Sequence, residues 1–232
     1  MGEPRERPIL FSGPMIRAIL EGRKTQTRRV VTSIAGKGRI RELHRSDTPG
    51  YDLAFRDSCG RWNDMRFADV AARSPFGVPG VRLWVRETWC FAHPEYHDQA
   101  EGVRRGDRPV RDEMPWWCHY AATDDVDEPK WSPSIHMPRW ASRITLRVTS
   151  VRVERVQVIS EADARAEGVE PAGGFMATSG HWQNYAADGP SLSSARESFT
   201  TLWDSINGKR PGAAWRDNPW VWAVGFEVER KA

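Results

Sequence analysis

The chain has 232 residues, 34 Lys and Arg against 31 Asp and Glu, and a net charge of +3. This is enough for one domain with a proper core, taken here as 1–232, and no window approaches the roughly 20 apolar residues of a membrane span. The opening MGEPRERPIL has no apolar signal region and three cysteines are too few for a disulfide framework, so the expectation is a cytoplasmic protein with no membrane or disulfide partner.

Pro8 to Phe11 reads as a short strand. Ser12 is an N-cap candidate, and Met15, Ile16, Ile19 and Leu20 fall at helical spacing before Gly22, a good C′ residue, which predicts a helix over about 13–21. Thr25 to Val31 is β-rich. Residues 32–78 lack clear periodicity and read as a first irregular insert. Pro79-Gly80 is a turn signal, and Val81, Leu83 and Val85 alternate with Arg82, Trp84 and Arg86 as a strand. A second irregular insert covers 92–132.

From Arg143 the alternation is clean, with Ile144, Leu146 and Val148 on one side. Val151 and Val153 continue one register off, a slip at Thr149-Ser150 that predicts a β-bulge or tight bend. Ser160-Glu161-Ala162-Asp163 opens a short helix that Gly168 ends. A Gly-rich third insert covers 170–190. Ala195 to Ile206 has Phe199, Leu202, Trp203 and Ile206 on one stripe, and Trp220 to Val228 alternates as a closing strand. These elements, without regular βαβ alternation, predict an α+β, mainly β fold: a small β-barrel with short flanking helices. Of the twelve tryptophans, Trp84, Trp89, Trp140, Trp203, Trp220 and Trp222 are expected in the core.

Two features carry chemistry. Arg23, Lys24, Arg28 and Arg29 fall within seven residues at an element boundary, and Lys37 to Arg45 adds further basic residues. Neighbouring arginines lower the pKa of a lysine, and a neutral amine is a general base for a nearby hydroxyl. The same run also fits a solvated basic strand edge. Glu167 closes a helix where the carbonyl ends are already partly negative, a position that disfavours a carboxylate by ~0.3–1 kcal/mol. Cys90, His93, His97, Cys118 and His119 are spaced loosely like zinc ligands, but the second half lacks a paired spacing. The expectation is no metal and no cofactor.

Four ordered blocks carry a resemblance. They are Gly22-Arg23-Lys24-Thr25-Gln26-Thr27 after a helix, Pro79 to Glu87 (Pro-Gly-x-x-Leu-x-Val-x-Glu), Ile159 to Gly168 (Ile-Ser-Glu-x-Asp-Ala-x-x-Glu-Gly) and the aromatic last strand. Together they resemble the ASCH domain family, whose fold is a PUA-like β-barrel. Trp131 to Arg143 and Leu202 to Gly208 look like its long, insert-bearing members from phages and prophages. The family includes small bacterial N4-acetylcytidine amidohydrolases, and the resemblance places their catalytic lysine, threonine and glutamate on Lys24, Thr27 and Glu167. It implies a hydrolase acting on N4-acylated cytosine nucleosides, with Arg23, Thr25, Arg28 and Arg29 toward the substrate and Thr25 as the fallback nucleophile. Members that bind or cleave RNA leave two alternatives: an RNA or modified-base binding module, or an RNase. The ligand is in each case a nucleoside or RNA. This chain is roughly twice the length of the compact enzymes, and the resemblance excludes the three inserts.

Overall fold

The computed structural model describes residues 6–92, 117–126, 130–173, 180–186 and 189–229. Its centre is a five-stranded sheet in the order β1 (Glu6–Leu10), β8 (Arg82–Arg86), β11 (Thr145–Arg155), β12 (Trp220–Glu229), β2 (Gln26–Val30). β1 runs parallel to β8, and the other neighbours are antiparallel.

β11 and β12 pair along almost their full lengths, with the register shift between Val148 and Ser150 where the hydrophobic phase slips. Gly225 lies opposite Ser150, and a Cβ there would sit 2.5 Å from Ser150 Oγ. The bulge is thus built from a hydroxyl on one strand and a missing side chain on the other.

The sheet is not closed into a barrel. β1 and β2 are its two edges, and no backbone pairing joins them. They do approach, since Arg29 Nη2 of β2 donates to Leu10 O of β1 at 2.5 Å. Side chains span the seam that a closed barrel would fill with a ladder, and that seam holds the candidate site.

β12 is buried on both faces. Trp220, Trp222, Val224 and Phe226 face a large cluster with Ile9, Phe11, Ile16, Leu83 and Leu146. Val221 faces a second cluster of Ile159, Ala164, Val169, Phe199 and Trp203, contributed mainly by α3 (Glu161–Ala166) and α4 (Ala195–Asn207). Ser160 and Ser194 cap these helices, each accepting from the backbone N–H three residues on. Helix α1 (Gly13–Leu20) follows Ser12, whose backbone takes the N-cap conformation while its side chain makes no capping bond.

The predicted irregular segment 32–78 is ordered. It holds a short pair, β3 (Ser33–Ile34) with β4 (Gly38–Arg39), then a meander of β5 (Glu42–Arg45), β6 (Leu53–Arg56) and β7 (Trp62–Met65), then helix α2 (Phe67–Ala71). Within the meander only β6 is apolar enough to bury, through Leu53 and Phe55, so the strands that flank it show no hydrophobic period. Most of the second predicted insert lies outside the described residues; its borders pair as β9 (Trp89–Ala92) and β10 (Trp117–Tyr120). In the third, Trp182 bridges Pro171 and Leu192, and the Tyr185 hydroxyl accepts from Glu170 N–H.

Trp203, Trp220 and Trp222 are core residues as expected, whereas Trp84, Trp89 and Trp140 are only half-buried. Trp84 stands on the outer face of β8 beneath the guanidinium groups of Arg86 and Arg139. Among the described residues no helix is long and apolar enough to cross a membrane, and none of the three cysteines is in a disulfide.

Candidate active site

Helix α1 ends at Leu20, and Gly22 takes a left-handed turn at φ +75°. Lys24 N–H then donates to Ala18 O, and Thr25 N–H to Ala166 O at the end of α3. Pairing with β12 begins as Phe226 N–H donates to Thr25 O. Lys24 therefore precedes strand β2, and strand alternation does not dictate where its side chain goes.

That side chain is buried. Nζ donates to the backbone oxygen of Glu167 at 2.6 Å and to its carboxylate Oε2 at 3.0 Å. Both acceptors are at the C-terminal end of α3, so a cation meets the helix dipole where Glu167 alone would oppose it. Burial lowers the Lys24 pKa; Glu167 pulls it back up, and Arg29 and Arg28 push it down again. Gly168, at φ +83°, makes the approach possible. A Cβ there would stand 2.8 Å from Lys24 Cβ and 3.0 Å from Ala18 Cβ.

The other carboxylate oxygen of Glu167 accepts from Arg28 Nη1 at 3.1 Å. Arg28 also donates from Nη2 to Glu154 at 2.7 Å and to Asp163 at 3.0 Å. Burial works against its charge, but the carboxylates outweigh that, and its pKa is raised. Arg28, expected toward the substrate, is 4% exposed and is the interior counter-ion of Glu167, Glu154 and Asp163.

The opposite face of β2 carries Thr27 and Arg29, paired across from Val224 and Trp222. Arg29 has its Cζ 5.2 Å from the centre of the Phe11 ring, and Lys24 Nζ lies 5.7 Å from the same ring. Burial pushes the Arg29 pKa down, against the pull of Glu167. Thr27 is 2% exposed, and its hydroxyl makes no hydrogen bond among the described residues. Arg23 and Thr25 turn outward: Arg23 pairs with Glu21 and reaches Glu170 at 3.9 Å, and Thr25 is exposed.

The fold thus joins Lys24, Glu167 and Arg28 directly, and sets Arg29 beside Lys24 through Phe11. Three members escape a reading of the sequence. Asp163 is half-visible as a helix-capping position, and its N–H does bond Ser160 Oγ. Glu154 alternates with Val153 as any solvent-facing strand residue would. Phe11 looks like the end of an apolar strand. Their roles arise only once α3 docks on the sheet.

Cys90 lies across from His119, and Cys118 across from Phe91, so the two cysteines point to opposite faces of their hairpin. His93 and His97 lie outside the described residues. Among those described, no group of three or more His, Cys, Asp and Glu side chains is arranged to hold a metal ion. No family model, no curated protein and no solved structure matches the chain.

Proposed function

We propose that the chain hydrolyses the amide of N4-acylated cytosine nucleosides, on a fold of the ASCH, PUA-like kind whose barrel is left open at the catalytic seam. The observation that carries this reading is Lys24 Nζ, buried with a lowered pKa and held 3.0 Å from Glu167 Oε2. Burial favours the neutral amine, the form in which a lysine acts as a general base.

In the reaction Lys24 Nζ takes the hydroxyl proton of Thr27 as its Oγ1 bonds to the acyl carbon. The bond from that carbon to N4 then breaks, with the proton passing from Lys24 to the departing nitrogen, which frees the cytosine amino group. Water attacks the acyl-threonine ester by the same proton route, releasing a carboxylic acid and restoring the hydroxyl. Glu167 positions Lys24, and Arg28 holds the other oxygen of that carboxylate in place. Arg29, with no ion pair among the described residues, is the cation for the developing oxyanion. Support for Thr27 over Thr25 is its burial on the face where Arg29 and Phe11 lie; Thr25 is exposed.

The test is incubation of the pure protein with a panel of N4-acylcytidines and labelled RNAs. Release of cytidine and the free acid is expected. Cleaved RNA with intact acylcytidine points to the RNase alternative, and binding without turnover to a binding module.

A further inference from the structure

Arg28 meets more acid than its charge requires. Four of its five N–H groups go to three carboxylates. Nε at 3.1 Å and Nη2 at 2.7 Å both donate to Glu154 Oε1. Nη2 also donates to Asp163 Oδ2 at 3.0 Å, and Nη1 to Glu167 Oε1 at 3.1 Å.

Arg152 closes the outer side, with Nε 3.3 Å from Glu154 Oε2 and Nη2 3.5 Å from Asp163 Oδ2. Charges therefore alternate from the buried amine toward the surface: Lys24, Glu167, Arg28, then Glu154 with Asp163, then Arg152. Gln26 Nε2 donates to the backbone oxygen of Asp163, and Arg29 is the further cation whose charge acts on Lys24 and Glu167. The sheet sets this row. Arg28 pairs with Ala223 of β12, and Ala223 with Arg152 of β11, so the three share a face. Ala223 puts only a methyl group between the outer strands, which leaves the guanidinium free to cross to Glu154.

A guanidinium favours holding one carboxylate by both oxygens, through two parallel N–H groups. With Glu167 as its only acid, Arg28 would take both oxygens, and Lys24 would keep the backbone carbonyl alone. Glu154 fills the fork made by Nε and Nη2, and Asp163 divides the fork made by Nη1 and Nη2. Glu167 is thereby met by one N–H, and its Oε2 is left to Lys24 at 3.0 Å. One carboxylate would neutralise Arg28. Three, at these positions, also fix its direction.

We infer that Glu154 and Asp163 are positioning residues for Lys24: they hold Arg28 to one oxygen of Glu167 and so keep the other on the amine. The consequence for turnover rests on the proposed hydrolysis; the consequence for the state of Lys24 does not.

The experiment follows the side-chain carbon signal of Lys24 by NMR across pH in the full chain, beside kcat and KM for N4-acylcytidine. Glu154→Gln and Asp163→Asn, both at partly exposed positions, should each lower the Lys24 pKa. Each removes negative charge and frees Arg28 to draw Glu167 away. The double variant should show a fall of roughly 0.5–1. Its plateau kcat should drop on the order of tenfold with KM unchanged, and its pH–kcat profile should move to lower pH. Arg28→Gln should move the titration the opposite way, because the Arg28 charge pushes the Lys24 pKa down. Should Arg28→Gln fail to fold, the sign in the double variant still decides. Acids with a merely structural role would lower the melting temperature and leave the Lys24 titration where it is. That result overturns the inference, as does a raised Lys24 pKa in the double variant. A wild type that hydrolyses nothing, beside a Lys24 titration that follows the two acids, removes the amidohydrolase and leaves the positioning standing.

Discussion

Lys24 and Glu167 meet twice: the ammonium nitrogen is 2.6 Å from the backbone oxygen of Glu167 and 3.0 Å from its carboxylate. One side chain thereby satisfies the end of a helix and forms a buried ion pair. The two demands pull in different directions. The carbonyl and carboxylate favour the charged lysine, and burial favours the neutral one.

Lys24→Arg should abolish acylcytidine turnover, by at least the ~10²–10⁴-fold that general-base removal costs, while binding of product nucleoside changes little. The guanidinium keeps the charge and cannot surrender its proton. Steady-state kinetics beside calorimetric binding decides the matter. Full activity in this variant rules out Lys24 as the base.

The working form of Lys24 is neutral, so kcat should rise with pH through a pKa below the ordinary 10.5. Stability should follow the same group. Because the folded pKa is depressed, the unfolded chain binds more protons between that pKa and 10.5, and stability rises with pH across that window. Denaturant unfolding of wild type and Lys24→Met should show the wild type gaining on the variant as pH increases through the window. Parallel curves contradict a depressed lysine.

Glu167→Gln removes the charge that raises the Lys24 pKa and leaves its shape. The pH–kcat profile should move to lower pH, and kcat at its plateau should fall by about 10–100-fold as Lys24 loses its positioning. A merely structural Glu167 would cost stability without moving the profile.

Thr27→Ala should eliminate turnover, Thr27→Ser should retain a measurable part of it, and Thr25→Ala should be close to wild type, because the Thr25 side chain is exposed. The reverse pattern transfers the nucleophile to Thr25.

Gly168→Ala should cost about 1–2 kcal/mol from the left-handed backbone alone, and more from the collision with Lys24 Cβ at 2.8 Å. Activity should fall further than stability explains, since the collision displaces the base itself. Thermal melting and kcat on the same preparation separate the two effects.

Much of this arrangement is legible in the sequence, and the limit is physical. The helix before Gly22, the bulge at Thr149-Ser150 and the stripe of α4 are local patterns, and local patterns depend on near neighbours in the chain. Glu167 is legible as an anomaly, a carboxylate at the wrong end of a helix. Its explanation, Lys24, is 143 residues distant. Arg28 reads as a surface cation in a basic run, and only the docking of α3 turns it inward to three acids. Barrel closure is not legible either, because strand count leaves open whether β1 and β2 pair, and Arg29 and Phe11 lie at that seam. The meander at 32–78 is hidden because one strand of three carries its hydrophobic load.

β12 contributes alternate residues to two hydrophobic clusters, with Trp222 and Val224 in one and Val221 in the other. A strand that is a wall of both clusters couples their melting, for neither can open without stripping the other of a side. The α3–α4 layer and the main core are therefore expected to unfold as one cooperative unit, with the amides of the buried part of β12 exchanging with solvent only in that event, as hydrogen exchange can test. Lys24 belongs to the first cluster's side of the sheet and Glu167 to the helical layer, so the bond between them persists as long as this shared strand does.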